Sequence, residues 1–573
     1  MSEKFAKIDR WISYKNMDTD NLSELIELKK NAESEDIQIR QTALEEINDR
    51  FYKELEFGTG GLRGLLGAGS NRMNIYTVRK ATIGVAKYIN AHYEKPSAAI
   101  GYDSRINSEL FAKTVAETFL ACNIDVYLYN TLMPVPALSF ATRYHKCAVG
   151  IMITASHNPY NYNGYKVYDE NGCQVTDSAA EEIFKYISET DIFEEPESKE
   201  AATLTDMKEE TKNAFYEAVI AEKMAWTSES EMRQDLASLS VVYTPLNGAG
   251  NIPVRTVLGK IGVNNIHIVA EQELPDGNFP TCPYPNPEKK EALEKGLEQF
   301  RKVGADLLIA TDPDSDRVGI AIATDAGEML PNGNEVGILL LDFICTMRTA
   351  SKTMPENPVA VRTIVSSKMA DRIAEAYGVS MKTTLTGFKY IGETITELAS
   401  RGRERDYIFG FEESTGYLSG TYVRDKDAVN AAMLICQMAA YYKKQGKTLA
   451  ERLAELYETY GYFLSSLIEF TFEGEKGMRK IAGIMDALRK NPINEIAGQQ
   501  AVQTIDYKEM SSGLPKANVI EAILENGGGF IVRPSGTEPK LKIYLSAKCI
   551  SKKAAEDELE LLEKEITLHI NKN

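Results

Sequence analysis

Short apolar runs alternate with segments of helical periodicity along most of the chain, and this alternation predicts the fold class. The run SAAIGYDS is followed by NSELFAKTVAETFLACN, whose apolar residues recur with helical spacing, and then by the apolar run IDVYLYN. The same order recurs in LSVVYTP, IPVRTVLGKIG and NIHIVAE. Strand, helix and strand in succession indicate βαβ units. We therefore predict an α/β protein with mixed, mainly parallel sheets.

Changes in composition divide this pattern into four predicted domains, as expected for a chain of 573 residues that is too long for one core. Residues 1 to about 55 form an amphipathic helical lead-in, and the acidic segment at about 192–210 is predicted as a linker. Further breaks fall at about 325–335 and at YGYFLSSLIEF. The fourth domain is smaller and of α+β type, and no sequence repeat relates the first three. The predicted domains are 1–205, 206–328, 329–462 and 463–573.

A candidate nucleophile follows the apolar run CAVGIMI. In TASHNPYNYNGYKVY, Ser156 stands just after this predicted buried strand, and α/β proteins place their chemistry at strand ends. The alternative is an ordinary turn, because Asn158 favours a turn and Pro159 disfavours helix at the residue before it. This stretch alone leaves both interpretations open.

Three evenly spaced aspartates follow the apolar strand of ADLLIATDPDSDRVGIAI. Asp312, Asp314 and Asp316 can turn inward together and offer hard oxygen ligands to a divalent cation. An EF-hand loop would need glycine and glutamate where Arg317 and Ala323 stand. Mg²⁺, with a phosphate completing its coordination shell, is therefore the predicted ion, and an acidic surface turn is the alternative.

The segment FIVRPSGTEPKLKIYL predicts a phosphate-binding loop between two strands. It combines the guanidinium fork of Arg533, two hydroxyl groups and a flexible glycine whose backbone N–H groups can face an oxyanion. The alternative is a tight hairpin turn. The residues proposed to bind phosphate are Arg533, Ser535, Gly536 and Thr537.

Two weaker signals complete the set of candidate loops. IFGFEESTGYLSG places Glu412, Glu413 and Ser414 after an apolar strand, and these groups suit sugar hydroxyls, which both donate and accept hydrogen bonds. FGTGGLRG offers Arg63 in a glycine-rich loop. The first could equally be a solvated loop, and neither FGTGGLRG nor QGKTLA satisfies a nucleotide-binding glycine motif.

The net charge and the distribution of cysteines limit the partners and the cellular compartment that we expect. With 65 basic and 83 acidic residues the formal net charge is −18, which opposes general binding to nucleic acid or anionic membrane. A phosphorylated substrate therefore requires a local basic pocket. The seven scattered cysteines form no C-x-x-C pair, as is typical of a reducing compartment. The first residues lack an apolar signal core, so we expect a cytoplasmic protein.

Taken in order, these motifs resemble the α-D-phosphohexomutase superfamily from about residue 55 to the C-terminus. The motifs are FGTGGLRG, GYDSR, TASHNPYNYNGYKVY, TPLNGAG, DPDSDR, TGFKYIG, GFEESTGY and RPSGTEPKLKIY. The resemblance implies a four-domain molecule with a central cleft to which each domain contributes one loop. It also implies that Ser156 is phosphorylated in the active enzyme.

The resemblance assigns further roles residue by residue. It implies a metal site at Ser156, Asp312, Asp314 and Asp316. It implies basic groups around the transfer site at Arg63, His157, Lys166 and Arg317. It implies sugar contacts at Glu412 and Ser414, and contacts to the idle phosphate at Arg533, Ser535, Gly536 and Thr537.

Within the superfamily, GFEESTGY with VRDKDAV resembles the phosphoglucomutase and phosphopentomutase branch. Lys426 is then the expected cation beside the sugar loop, and Lys389 of TGFKYIG is a candidate phosphate or sugar contact. The implied activity is a Mg²⁺-dependent mutase acting on glucose 1-phosphate and glucose 6-phosphate, primed by glucose 1,6-bisphosphate. A phosphopentomutase and a catalytically silent sugar-phosphate-binding relative are the alternatives. The expected partners are small sugar phosphates, without nucleic acid or membrane, in a monomer or homodimer.

Overall fold

Three helices precede the first sheet. The computed structural model describes residues 2–58, 60–196, 202–472, 474–509, 513–535 and 540–572. The predicted helical lead-in is confirmed as α1 (Ser2–Ile12), α2 (Thr19–Ala32) and α3 (Ile37–Phe51). Trp11 of α1 packs edge-on against Phe51, Tyr76 and Phe193, which fastens these helices to the first domain.

The first domain is built on a mixed six-stranded sheet. Its elements are β1 (Gly61–Leu65), α4 (Ile75–His92), β2 (Ser97–Tyr102), α5 (Ser108–Ala121), β3 (Asp125–Tyr129), α6 (Val135–Tyr144), β4 (Val149–Ile153), β5 (Tyr162–Tyr168), α7 (Asp177–Ser188) and β6 (Leu204–Met207). The strand order is β1-β5-β4-β2-β3-β6. Strands β4, β2, β3 and β6 are parallel, β5 is antiparallel to β4, and β1 is antiparallel to β5. Strand β6 corrects the linker prediction, because part of the predicted linker at 192–210 pairs with β3 and completes this sheet. The predicted domain boundary at residue 205 falls within this strand.

The second domain repeats the plan with fewer strands. Its elements are α8 (Glu209–Ala221), α9 (Glu229–Ala237), β7 (Val241–Thr244), α10 (Asn251–Ile261), β8 (Ile266–Ile268), α11 (Ala270–Glu273), α12 (Lys290–Val303), β9 (Leu307–Thr311), β10 (Val318–Thr324) and β11 (Gly327–Met329). The strand order is β11-β10-β9-β7-β8. Strands β9, β7 and β8 are parallel, β10 is antiparallel to β9, and β11 is antiparallel to β10.

The third domain has a four-stranded sheet of the same kind. Its elements are α13 (Gly333–Ala350), β12 (Val359–Thr363), α14 (Met369–Ala376), β13 (Ser380–Thr384), α15 (Phe388–Ser400), a 3₁₀ turn (Glu404–Asp406), β14 (Tyr407–Glu412), β15 (Gly416–Leu418), α16 (Ala428–Lys444) and α17 (Leu449–Tyr460). The order is β13-β12-β14-β15, and only the last pair among these strands is antiparallel.

The fourth domain is an antiparallel sheet with two helices. Its elements are β16 (Tyr462–Thr471), α18 (Gly474–Lys490), β17 (Glu495–Ile496), β18 (Gln499–Asp506), β19 (Ile520–Leu524), β20 (Gly529–Pro534), β21 (Lys540–Cys549) and α19 (Lys552–Lys572). The strand order is β16-β21-β20-β19-β18-β17. The four sheets confirm the predicted fold class of three similar α/β domains and a smaller α+β domain.

A shared hairpin relates the first three sheets. In each, a parallel strand ends in a short turn and the chain returns as an antiparallel strand, in the pairs β4–β5, β9–β10 and β14–β15. Each turn contains a residue with positive φ, which is uncommon for residues other than glycine: Ser156 at 51°, Ser315 at 50° and Thr415 at 57°. The candidate loops therefore occupy equivalent positions of three repeated units.

The apolar cores hold these domains in register. One buried cluster runs through the first three domains and includes Tyr129, Tyr243 and Phe411. A smaller cluster joins the third and fourth domains and includes Val365 and Tyr544. Among the described residues, no helix is both long and apolar enough to cross a membrane.

Candidate active site

A cavity of about 550 Å³ lies where the turns of the four sheets meet. Residues from all four domains line it, so the structure brings together loops that are far apart in the sequence. The predicted site residues on its wall are Arg63, Ser156, His157, Lys166, Asp316, Arg317, Glu412, Ser414, Lys426 and Arg533. A volume of this size is typical of a small-molecule site.

Ser156 lies at the floor of the cavity, in the turn after β4. Its Oγ donates to Oδ2 of Asp312 at 2.9 Å and lies 3.2 Å from Nδ1 of His157. Its backbone N–H donates to Oγ1 of Thr154 at 2.8 Å, which helps hold the residue at positive φ. Ser156, which follows β4 of the first domain, is therefore hydrogen-bonded to Asp312, which follows β9 of the second domain.

The three aspartates form one buried cluster. Asp312, Asp314 and Asp316 each place a carboxylate oxygen within 4.8 Å of the others, and all are at most 1% exposed. Two lysines compensate the charge: Nζ of Lys166 lies 2.9 Å from Asp314 Oδ2, and Nζ of Lys426 lies 3.1 Å from Asp316 Oδ2. Nε of Arg317 also lies 3.7 Å from Asp316 Oδ1, so three carboxylates lie beside three cations, and the cluster suits a metal ion through its oxygen ligands and not through an excess of negative charge.

Asp312 and Asp316 differ in how well their surroundings stabilise a negative charge. Burial, together with the charges of Asp314 and Asp316, raises the pKa of Asp312 well above its ordinary value. For Asp316 burial acts in the same direction, but Lys426, Lys166 and Arg317 outweigh it and lower the pKa. The protein therefore disfavours the negative charge of Asp312 and favours that of Asp316.

The surroundings of His157 disfavour its charged form. Burial, followed by the nearby cations Arg317 and Arg63, lowers the pKa of His157 well below its usual value. The resemblance implies a basic group at His157. The structure instead places beside Ser156 Oγ an imidazole whose neutral form is favoured, and this form can accept or donate a hydrogen bond according to its tautomer.

The third and fourth domains supply another part of the cavity wall. Glu412 Oε1 accepts from the backbone N–H of Gly387 at 2.7 Å, and Nη1 of Arg317 donates to the carbonyl of Ser414 at 3.2 Å. Arg533 of β20 stands opposite Lys542 of β21 in the strand register, and both line the cavity. This wall therefore presents carboxylates beside a pair of cations.

Arg63, Lys389 and Ser535 have neighbours in the structure that the sequence did not indicate. Arg63 lies on strand β1 rather than in a loop, and its Nη1 donates to Asn158 Oδ1 at 2.9 Å. Lys389, predicted as a phosphate or sugar contact, is not on the cavity wall, because its Nζ pairs with Asp177 Oδ1 of the first domain at 2.5 Å. Ser535 is absent from the lining among described residues, and its N–H donates to the carbonyl of Lys540.

Gly536 and Thr537, the other half of the predicted phosphate loop, lie outside the described residues. The structure also places in or beside the site two residues that the sequence motifs did not indicate. Thr154 Oγ1 donates to Asp314 Oδ2 at 3.0 Å, and Lys542 lines the cavity. Polar and apolar residues alternate in KLKIYL, which predicts a strand with Lys540 and Lys542 on the same face. This pattern was the sequence signal that could have indicated Lys542.

Glu413 provides a pH-dependent test of the cavity. Burial and the adjacent charge of Glu412 raise its pKa to about 7. A raised folded-state pKa means that its contribution to stability is complete below its ordinary pKa of about 4.3 and is lost as pH rises through about 7. The unfolding free energy of Glu413→Gln should therefore exceed that of the wild type by about 1–3 kcal/mol more at pH 8 than at pH 5.

Urea unfolding of the ligand-free protein at both pH values measures this difference. Glu397→Gln is the control, because the hydrogen bond to Lys382 lowers the pKa of that surface glutamate. The control should gain no stability at pH 8. An equal difference between Glu413→Gln and the wild type at both pH values would contradict the electrostatic interpretation.

Comparison with known families covers nearly the whole chain. Models of the phosphoglucomutase/phosphomannomutase family match in four consecutive parts. They are alpha/beta/alpha domain I at residues 54–193, domain II at 213–327, domain III at 332–460 and the C-terminal domain at 472–564. The four parts follow the order of the four sheets.

Individual relatives agree with this match. Phosphoglucomutase of Staphylococcus aureus strain bovine RF122 / ET3-1 is 38% identical over 526 residues, covering 89% of this chain and 92% of the relative. The strain MRSA252 protein is 38% identical over 520 residues, with coverage of 88% and 91%.

Solved structures share the fold at lower identity. A phosphoglucomutase/phosphomannomutase family protein from Burkholderia thailandensis superposes with a TM-score of 0.66 at 15% identity, covering 90% of this chain and 97% of that one. The open form of parafusin, a phosphoglucomutase from Paramecium, gives 0.67 at 17% identity, with coverage of 91% and 95%. The family models, the relatives and the four-sheet architecture together show that this chain belongs to the phosphoglucomutase/phosphomannomutase family of the α-D-phosphohexomutase superfamily.

Proposed function

We propose that the protein is a Mg²⁺-dependent phosphosugar mutase that interconverts glucose 1-phosphate and glucose 6-phosphate through a phosphoserine at Ser156 and a glucose 1,6-bisphosphate intermediate. One observation carries the proposal: Ser156 Oγ lies 2.9 Å from Asp312, and Ser156 lines the same cavity as Arg533 and Lys542. A phosphoryl donor and a phosphate-binding pair thus share one cavity, as a sugar with two phosphate positions requires.

The aspartate cluster fits a divalent cation on the chemistry of its donors. Within the described part of the chain, Oδ1 of Asp314 and Oδ1 of Asp316 are buried and have no hydrogen-bond donor. Buried carboxylate oxygens are costly without a partner, and oxygen ligands are those that Mg²⁺ prefers. Asp312, Asp314, Asp316 and an oxygen at Ser156 would hold the ion. When bound, Mg²⁺ neutralises phosphate oxygens as negative charge develops.

The residues of the first domain would carry the transfer step. A sugar hydroxyl oxygen bonds to phosphorus as the bond between phosphorus and Ser156 Oγ breaks; the hydroxyl proton leaves the sugar, and Oγ takes up a proton to regenerate serine. Arg63 and Lys166 line the cavity beside Ser156 and supply positive charge for the equatorial phosphate oxygens. His157, whose Nδ1 lies 3.2 Å from Ser156 Oγ, would exchange a proton with this oxygen.

The third and fourth domains would hold the sugar during both half-reactions. Glu412 and Ser414 face the cavity from the hairpin of the third domain and suit the ring hydroxyls, while Arg533 holds the phosphate that is not reacting. After the first transfer, the bisphosphate must turn so that its other phosphate meets Ser156. Contacts to hydroxyls and to an idle phosphate serve both orientations.

Glucose phosphates are the favoured substrates because the Staphylococcus aureus relatives, at 38% identity over most of both chains, are phosphoglucomutases. The test has two parts. Protein incubated with Mg²⁺ and labelled glucose 1,6-bisphosphate should carry label on the peptide containing Ser156. Coupled assays should give glucose 1-phosphate a kcat/KM at least about tenfold above that of ribose 1-phosphate, a discrimination within reach of a few substrate contacts.

Each alternative has its own outcome in this test. A higher kcat/KM for ribose 1-phosphate would make the protein a phosphopentomutase. Binding of sugar phosphate without label or turnover would make it a silent relative. Label on another residue with Ser156 unmodified would remove the serine from the mechanism.

A further inference from the structure

We propose that Arg105 is the positioning residue that holds Ser156 in its reactive place. The inference rests on the proposed role of Ser156 as the phosphoryl carrier. Arg105 belongs to the motif GYDSR and is only 3% exposed, and it does not line the cavity among described residues. It therefore acts on the reaction through the serine loop and not by touching substrate.

The topology places Arg105 behind the serine loop. Strands β2 and β4 are adjacent and parallel, so their carboxyl ends meet at one edge of the sheet. Arg105 follows β2 by three residues and Ser156 follows β4 by three residues. Asp103 Oδ1 accepts from the backbone N–H of Arg105 at 2.9 Å and from Ser108 Oγ at 2.8 Å, which fixes the backbone from which the guanidinium extends.

The guanidinium gathers four carbonyl groups of one loop. Nη2 donates to the carbonyl of Ser156 at 2.5 Å and also to that of Asn158. Nη1 donates to the carbonyls of Pro159 at 2.9 Å and Tyr162 at 3.1 Å. The bonds span the whole turn from Ser156 to the start of β5. A planar group with several donors in fixed directions thus sets the path of the loop.

Ser156 needs such external support. Its φ of 51° is a conformation that residues other than glycine adopt at an energetic cost, and it persists where surrounding contacts determine it. The carbonyl bound by Arg105 belongs to Ser156 itself, and the N–H on its other side is bound by Thr154. Arg105 therefore holds the carbonyl of Ser156, and Thr154 holds its N–H.

The second domain closes over this support. The guanidinium carbon of Arg105 lies 5.1 Å from the centre of the Phe279 ring, which is fully buried. Gly277 packs so closely that a Cβ there would lie 2.5 Å from the backbone nitrogen of Ile106. The fork of Arg105 is thereby confined between the serine loop and the domain that carries the aspartates.

The test compares Arg105→Ala and Arg105→Lys with the wild type. A displacement of about 1 Å at the reacting atom costs about 100-fold in rate. We expect Arg105→Ala to lower kcat by about 100-fold while KM for glucose 1-phosphate stays within about threefold. Lysine keeps the charge but lacks the fork, so Arg105→Lys should remain at least about tenfold below the wild type in kcat. It also serves as the readout if the alanine variant does not fold.

A single-turnover measurement separates positioning from general stability. The rate of transfer from labelled Ser156 to glucose 1-phosphate should fall by the same factor as kcat. Arg72→Ala is the control, because Arg72 is also 3% exposed and bonds a carbonyl and two carboxylates away from the serine loop. It should lower Tm and leave kcat within about threefold of the wild type, as expected for a purely structural contact.

Three outcomes overturn the inference. They are a kcat within about threefold of the wild type in the folded Arg105 variants, full recovery of kcat in Arg105→Lys, and a defect confined to KM. Failure of wild-type Ser156 to take up label from glucose 1,6-bisphosphate would instead contradict the proposed function. The two failures are therefore distinguishable in one set of proteins.

Discussion

Ser156→Ala is expected to reduce mutase turnover by about four orders of magnitude or more, because the variant has no oxygen to carry the phosphoryl group. The nearest candidate replacement is Thr154, but its hydroxyl donates to Asp314 and accepts from the N–H of residue 156. Its oxygen is therefore already engaged in two hydrogen bonds, and Thr154 is not among the described residues that line the cavity. Folding should be little affected, since alanine and serine face the same cost at a φ of 51°.

Steady-state kinetics in both directions and mass analysis after priming with glucose 1,6-bisphosphate measure this effect. Ser315→Ala is the matched control, because Ser315 is also buried, has a φ of 50° and lies in the equivalent hairpin turn of the second domain. The control should keep its phosphoryl label and most of its turnover. Substantial turnover in Ser156→Ala would exclude the phosphoserine mechanism.

Asp312→Asn should lower Mg²⁺ affinity by about 100-fold and turnover by about 10²- to 10⁴-fold without destabilising the ligand-free protein. Burial and its two aspartate neighbours raise the pKa of Asp312, so removal of its charge relieves repulsion. Asparagine keeps the oxygen that accepts the backbone N–H groups of Asp316 and Arg317. Asp314 is a poorer choice, because its charge is stabilised by Lys166 at 2.9 Å.

Calorimetric titration with Mg²⁺ and thermal unfolding in chelator test both parts of this prediction. Asp427→Asn is the control: Asp427 is a buried carboxylate outside the cluster that caps α16, and asparagine caps a helix equally well. The control should bind Mg²⁺ like the wild type. Unchanged Mg²⁺ affinity in Asp312→Asn would make the cluster an acidic turn, and a lower Tm in chelator would contradict the repulsion argument.

Local patterns predicted the strand ends well because each signal lies within a few residues. The apolar run before Ser156 became β4, the run before Asp312 became β9, and the run before Glu413 became β14. Buried strands read as continuous apolar segments, and polar residues after them fall at the sheet edge. The same logic failed for β6, because an edge strand with three exposed residues carries little apolar signal.

The repeated hairpin could not be found from the residues. The turns containing Ser156, Ser315 and Thr415 share a position after a parallel strand and a residue with positive φ, but they differ in length and in sequence. Backbone geometry of this kind depends on strand pairing, which is a long-range property. Lys389 illustrates the same limit: its motif suggested a ligand contact, whereas its partner is Asp177, which is 212 residues away in the chain.

The sequence by itself determined the α/β class, the order of the loops and the residue types at each strand end, since periodicity and residue chemistry are local properties. Only the tertiary structure decided which of these residues meet. It joined Ser156 to Asp312, divided the lysines between Asp314 and Asp316, and set Arg105 behind the serine loop. Such contacts depend on how the sheets pack, and the energy of a buried charge depends on the partners that packing supplies.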